Sequence, residues 1–127
     1  MNGGFKSIAL GNDTLIEECL NAIAIGSDAR VRPGANHGVA IGETAIIQSN
    51  HINCTVLGGQ STAGHNNVLC LGYDSDSTSD NEANIGQRAL RLGRFTGSQR
   101  NALVTNLEGM LIANTTENTI QYYNGSA

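Results

Sequence analysis

Three histidines, His37, His51 and His65, stand 14 residues apart, a spacing that would align their imidazoles if the chain coiled with that period. Neutral imidazole nitrogens are common ligands of zinc and related metals, so a metal site is the first chemistry to weigh. Register argues against it. His51 and His65 lie seven residues before a recurring glycine, whereas His37 lies five before one. All three sit beside an asparagine in turn-like segments and no His-x-His pair occurs, so they read as turn or surface residues and no metal is assigned. The stretch YDSDSTSDNE, 73–82, places Asp74, Asp76, Thr78 and Asp80 at alternate positions, like the start of a calcium loop. The glycine and the closing glutamate that such a loop requires are missing, and a solvated loop is the better reading.

Other reactive groups are equally unassembled. Cys19, Cys54 and Cys70 are odd in number and lack a CxxC spacing, as expected of buried free thiols in a protein folded under reducing conditions. Glu17-Glu18 reads as an exposed pair. GGQSTAG, 58–64, lacks the lysine of a phosphate loop, and no G-x-S-x-G occurs. The chain therefore reads as non-enzymatic and without a cofactor. A polysaccharide-cleaving site built from carboxylates of neighbouring subunits stays open as the enzymatic alternative.

The elements that would position these residues are set by a repeat. Gly11, Gly26, Gly42, Gly58, Gly72 and Gly86 each close a short apolar block, at spacings of 15, 16, 16, 14 and 14. Periodicity on this scale marks a solenoid. Five residues before the glycine stand Asn21, Asn53, Asn67 and Asn81, with Asn36 one place off, and asparagine suits a turn. Two after it lie Asp13, Asp28 and Asp74; three after it come Thr14, Ala29, Ala45, Ser61 and Ser75; five after it come Ile16, Val31, Ile47 and Ala63. Each unit reads as strand, glycine turn, second short strand, asparagine turn.

Side chains alternate across a strand. One face of the apolar block carries Ile8/Leu10, Ile23/Ile25, Val39/Ile41, Thr55/Leu57 and Leu69/Leu71, and the other carries Ser7/Ala9, Ala22/Ala24, Gly38/Ala40, Cys54/Val56 and Val68/Cys70. A coil this short encloses only a thin lumen, so the small face is expected to line it. The large aliphatics, each worth about 1.5–3 kcal/mol when buried, then have no place within one chain. The repeat implies a homo-oligomer whose interface is Ile8, Leu10, Ile23, Ile25, Val39, Ile41, Leu57, Leu69 and Leu71.

Composition agrees. The 127 residues include 16 Gly, one Pro and no Trp, with a net charge of −4, which suits tight turns better than a thick core. Acids dominate residues 1–86, while Arg88, Arg91, Arg94 and Arg100 outnumber the acids beyond it. Four arginines without interleaved aromatics are a weak nucleic-acid signal and read as inter-subunit contacts or a solvated face. No run of 18 apolar residues could span a membrane, and MNGGFKS lacks the apolar core of a signal peptide.

NAIAIGS, 21–27, and HGVAIGE, 37–43, resemble the head repeats of YadA-type trimeric autotransporter adhesins. That resemblance covers roughly residues 5–86 and implies a left-handed parallel β-roll, three chains side by side. The longer 16-residue units, Cys54, Cys70 and the eroded SDNEANIG depart from it. TGSQRNALVTNLEGMLIANTTENTIQYYNGS, 96–126, resembles a segment recurrent near the ends of phage tail-fibre proteins, through Gln99-Arg100, Ala102-Leu103, Gly109 to Ile112, Asn114, Asn118, Gln121, Tyr123 and Asn124-Gly125. The tryptophan that usually follows has no counterpart before Ala127.

From the residues, 110–113 and 119–123 make a hairpin around NTTEN. ALRLG, 89–93, imitates the repeat with Arg91 in the small slot, so the roll is expected to end before it. The expected fold is all-β: a trimeric left-handed parallel β-roll over residues 1–86, then a C-terminal tail-fibre-type region with a hairpin over 87–127. The function the two resemblances imply is structural and adhesive, as part of a phage-like tail appendage on the virion. Its partners would be two further copies, other fibre proteins, and host surface glycan or outer-membrane material, without nucleic acid or membrane insertion. The head of a bacterial surface adhesin is the remaining alternative.

Overall fold

The computed structural model describes residues 6–86, 92–102 and 109–122. The chain divides into two compact units, Met1–Arg88 and Ala89–Ala127. In the first, each glycine-centred repeat contributes one turn of a parallel β-solenoid, the β-roll that the repeat implies. The strands follow in pairs: β1 (Ile8–Leu10) and β2 (Leu15–Ile16), β3 (Ile23–Ile25) and β4 (Arg30–Val31), β5 (Val39–Ile41) and β6 (Ile46–Ile47), β7 (Thr55–Leu57) and β8 (Thr62–Ala63). After β9 (Leu69–Leu71) comes β10 (Ala83–Ile85). A six-stranded sheet runs β1-β3-β5-β7-β9-β10 and a four-stranded one runs β2-β4-β6-β8. Every pairing within them is parallel, and each strand meets the same repeat positions one coil on: Ile8 pairs with Ile23, Ile23 with Val39, Val39 with Thr55.

Two corners of each coil need a left-handed residue. The asparagine slot holds Lys6, Asn21, His37, Asn53, Asn67 and Asn81, all at φ between 54° and 61°. The slot two after the glycine holds Asp13, Asp28, Thr44, Gln60 and Asp74 in the same region. His37, rather than its neighbour Asn36, takes the turn in the third coil, so that histidine is a backbone residue of the fold. The glycines stack on one another. A Cβ on Gly26 would overlap the carbonyl of Gly42, and one on Gly42 would overlap that of Gly58. At φ +133° and +142° neither position suits an L side chain in any case.

The unequal spacings have one cause. Coils of 15 and 16 residues carry a third left-handed residue, Glu18, Gly34 or Asn50, between the second strand and the asparagine turn. The two 14-residue coils carry none there. All length variation is absorbed at this corner, and the sheets keep register through it.

The lumen is lined as the alternation requires. Ala22, Ala24, Ala40, Cys54, Val56 and Cys70 are fully buried from one side, with Ile16, Val31, Ile47 and Ala63 from the other. Volumes trade across it. Where the second strand contributes Ile47, the first has Gly38 and Ala40; where it contributes Ala63, the first has Cys54 and Val56. A methyl on Gly38 would stand 2.8 Å from Cδ1 of Ile47. Cys54, one of the two cysteines that depart from the adhesin repeat, thus faces a coil segment with Ala63 in place of a larger aliphatic.

The second unit holds β11 (Arg94–Phe95), α1 (Gly97–Asn101), β12 (Leu111–Asn114) and β13 (Thr119–Tyr122). β12 and β13 are antiparallel, the expected hairpin, and β11 pairs parallel with β12. Asn114 belongs to the strand: it is buried, and its Oδ1 accepts the backbone N–H of Thr116 and of Glu117, closing the turn. The fold remains all-β in class, and one short helix accompanies these strands. Thr96 and Gln99 start it with reciprocal bonds, Gln99 N–H to Thr96 Oγ1 at 3.2 Å and Thr96 N–H to Gln99 Oε1 at 2.9 Å. This is a capping box, legible as T-x-x-Q but hidden inside the tail-fibre resemblance. Arg88, Arg91, Leu103, Tyr123 and Asn124-Gly125 lie outside the described residues.

Candidate functional site

The outer face of the six-stranded sheet is the first candidate. Strand alternation sends two residues of each repeat outward, and register stacks them into two rows. One row is Ile8, Ile23, Val39, Thr55, Leu69 and Ala83; the other is Leu10, Ile25, Ile41, Leu57, Leu71 and Ile85. Neither row contains a charge. Ile8, Leu10, Ile41, Leu57, Leu69 and Leu71 are exposed, from 37% to 64%, while Ile23, Ile25 and Val39 are half-buried between coils above and below. All nine residues expected at an interface therefore lie on one continuous surface. Ile85, 43% exposed, extends it and was missed because its repeat copy is degenerate. Leu20, Ile52 and Tyr73 are further exposed apolar residues of this unit, in turn positions where strand alternation gives no signal.

The second sheet is different in kind. Its outward positions include Arg30, which ion-pairs with Asp28 at 2.6 Å, and the neighbouring Arg32 bonds Gln48 Oε1 at 2.9 Å. The outward row of this sheet, Leu15, Arg30, Ile46 and Thr62, is half-buried and mixes aliphatic with polar side chains.

The remaining sequence candidates resolve into structural work. Asp76 Oδ1 accepts the backbone N–H of Thr62, and Asp80 Oδ1 accepts that of Asn66, each at 2.8 Å. Glu82 accepts from the backbone N–H and hydroxyl of Thr78 and from the hydroxyl of Ser79, contacts that hold its carboxyl below the usual range. The acidic loop thus caps backbone donors one coil earlier and braces its own turn. Asn53, Asn67 and Asn81 form a side-chain ladder, each Nδ2 donating to the next Oδ1 at 3.0 Å.

The His51 and His65 rings are neighbours in adjacent coils, with centroids 6.3 Å apart and planes tilted by 58°. His65 Nδ1 meets Ser77 Oγ at 3.0 Å, and His51 Nδ1 is buried without a partner among the described residues. His37 stands elsewhere, in its turn slot. Among the described residues no group of three His, Cys, Asp or Glu could hold a metal.

All three thiols are buried and free. Cys19 donates to the carbonyls of Glu17 and Arg32 at 2.8 and 2.9 Å, and Cys54 to that of His65 at 3.1 Å. Burial raises the pKa of each, that of Cys70 to about 11, so all are held as thiols. A nucleophilic or metal-binding thiolate is thereby disfavoured.

In the second unit a cavity of about 220 Å³ opens beside the hairpin, with Arg94 on its wall. Among the described residues no helix is long and apolar enough to cross a membrane. No protein-family model matches the chain, and no curated protein sequence matches it.

Proposed function

We propose that the chain is a structural and adhesive module of a trimeric fibre, of the kind carried on phage tail appendages, in which three β-rolls pack through their six-stranded sheets and present turns and the C-terminal unit to a host surface. The observation that supports this reading is the pair of uncharged aliphatic rows along the outer face. Six strands at about 4.8 Å make each row a straight ladder. Another ladder of the same pitch matches it best, and a second copy has one. Large contiguous apolar surface of this sort marks an interaction site. The repeat's resemblance to YadA-type heads supplies the number three, and the C-terminal segment's resemblance to tail-fibre ends supplies the setting.

The test is mass in solution. Light scattering of the purified chain at micromolar concentration should return three times the 13.3 kDa chain mass. Ile41→Asp together with Leu57→Asp should release monomer. A well-folded wild-type monomer would sink the proposal.

A further inference from the structure

Resting on the adhesive reading above, we propose that the cavity beside the hairpin binds a carboxylated sugar. Register builds it. β11 pairs Arg94 with Ala113, and β13 pairs Ile120 with the same Ala113. The three residues therefore lie in a line across the sheet. Ile112 and Asn114, which alternate with Ala113, are buried on the opposite face. The short side chain of Ala113 leaves a floor between two taller walls, the Arg94 guanidinium and the Ile120 side chain. Thr115, Asn118 and Thr119 close one end, where Asn118 at φ 54° finishes the hairpin turn.

Each wall matches one part of such a ligand. Guanidinium pairs with carboxylate in bidentate fashion, and among the described residues Arg94 makes no ion pair. The acid in the same turn, Glu117, receives a bond from Gln121 Nε2 at 2.6 Å; Gln121 in turn accepts from Asn114 Nδ2 at 3.0 Å. Gln121 pairs with Ile112, on the face opposite Ala113, so that chain of bonds engages Glu117 from the other face of the hairpin. Ile120, 71% exposed, and Ala113 offer an apolar surface to the C–H face of a pyranose. Threonine and asparagine side chains suit its hydroxyls. Tyr122, two residues along the same face and 61% exposed, extends the surface for an adjoining ring. A bare phosphate would want several converging donors, and the aliphatic wall opposite the single guanidinium supplies none.

The full chain should be titrated by NMR with methyl glucuronide, methyl glucoside and methyl glucoside 6-phosphate of the same anomeric form, probes that differ only at C6, in the group offered to Arg94. Glucuronide should bind with a dissociation constant of about 1–10 mM, as a one-ring ligand allows, at least tenfold tighter than the glucoside and tighter than the phosphate. Arg94→Ala should lose at least tenfold, Arg94→Lys should fall between, and Arg32→Ala on the roll should match wild type. Equal binding of glucuronide and glucoside, preference for the phosphate, insensitivity to Arg94→Ala, or no shifts in residues 113–120 at saturating glucuronide would each overturn the proposal. Light scattering on the same samples separates the two readings: a trimer that ignores glucuronide removes only this site, and a monomer that binds it removes only the fibre.

Discussion

Cys70 shows how much a single side chain records about the lumen. Fully buried and lacking a strong acceptor, its nearest carbonyl being that of Thr62 at 3.7 Å, it has a thiol pushed up from 9.0 to about 11. Burial is the main cause, and the carboxylates of Glu82 and Asp76 add to it. The sign follows from linkage. The unfolded chain releases this proton first, so the contribution is fully present below about pH 9 and is lost as pH rises through about 11. Thermal midpoints should therefore fall across that window, and Cys70→Ser, which stays close to the size of the thiol and removes the titrating group, should flatten the fall. A thiol reagent at neutral pH should leave all three cysteines unmodified until denaturant is added; rapid labelling of the native protein would show an open lumen. The burial of Cys54 and Cys70 was legible from their register in the small face. The reason for a cysteine at Cys54 was not, because it depends on Ala63 in the facing strand of the same coil, which strand alternation within one block does not connect to it.

At the scale of the strand, coil geometry is a volume exchange between facing segments. Gly38 is small because Ile47 and Val31 fill its place, with Cδ1 of Ile47 at 2.8 Å and Cγ1 of Val31 at 3.2 Å from where a Cβ would sit. Gly38→Ala should cost about 1–3 kcal/mol, the usual range for overpacking a tight core. Ile47→Val alone should cost about 0.5–1.5 kcal/mol. Combined, they should cost less than the sum, since the methyl removed makes room for the methyl added, with a coupling of about 0.5 kcal/mol or more. Denaturant midpoints of the four proteins measure it, and strict additivity would contradict the exchange. Much of this element scale could be read beforehand: strand positions, the inward small face and the asparagine turns follow from the glycine register. His37 was the exception. The sequence offers both Asn36 and His37 for one left-handed slot, and residue preference points to the asparagine while hydrogen bonding decides otherwise. Asn36 Oδ1 is engaged by the backbone N–H of Leu20 at 2.8 Å, which leaves the turn to its neighbour. Helix α1 escaped for a related reason: five residues are too few to display an apolar period, and only its Thr96–Gln99 cap was visible.

For the whole molecule, the balance between lumen and surface decides the state of assembly. The lumen is filled largely by alanine, cysteine, valine and three isoleucine or valine side chains of the second sheet, while larger aliphatics such as Leu10, Leu57 and Leu71 stand outside. Stability in such a molecule should depend on association, because each large side chain that leaves water contributes about 1.5–3 kcal/mol. An obligate oligomer melts at a temperature set by protomer concentration. A hundredfold dilution should therefore lower the thermal midpoint of the wild-type chain, whereas a folded monomer would give one midpoint at every concentration. Position along the rows makes the expectation sharper. Leu10 stands at the first strand and is already 64% exposed, while Ile41 sits mid-sheet at 37%. Ile41→Asp sets a carboxylate among apolar neighbours on every chain that meets there and should abolish the concentration dependence together with most of the stability. Leu10→Asp, at the end of the ladder where water is nearer, should lower the midpoint and keep its dependence on concentration. If both substitutions acted equally, the rows would not be packed along their length, and the contact between copies would have to lie on another face.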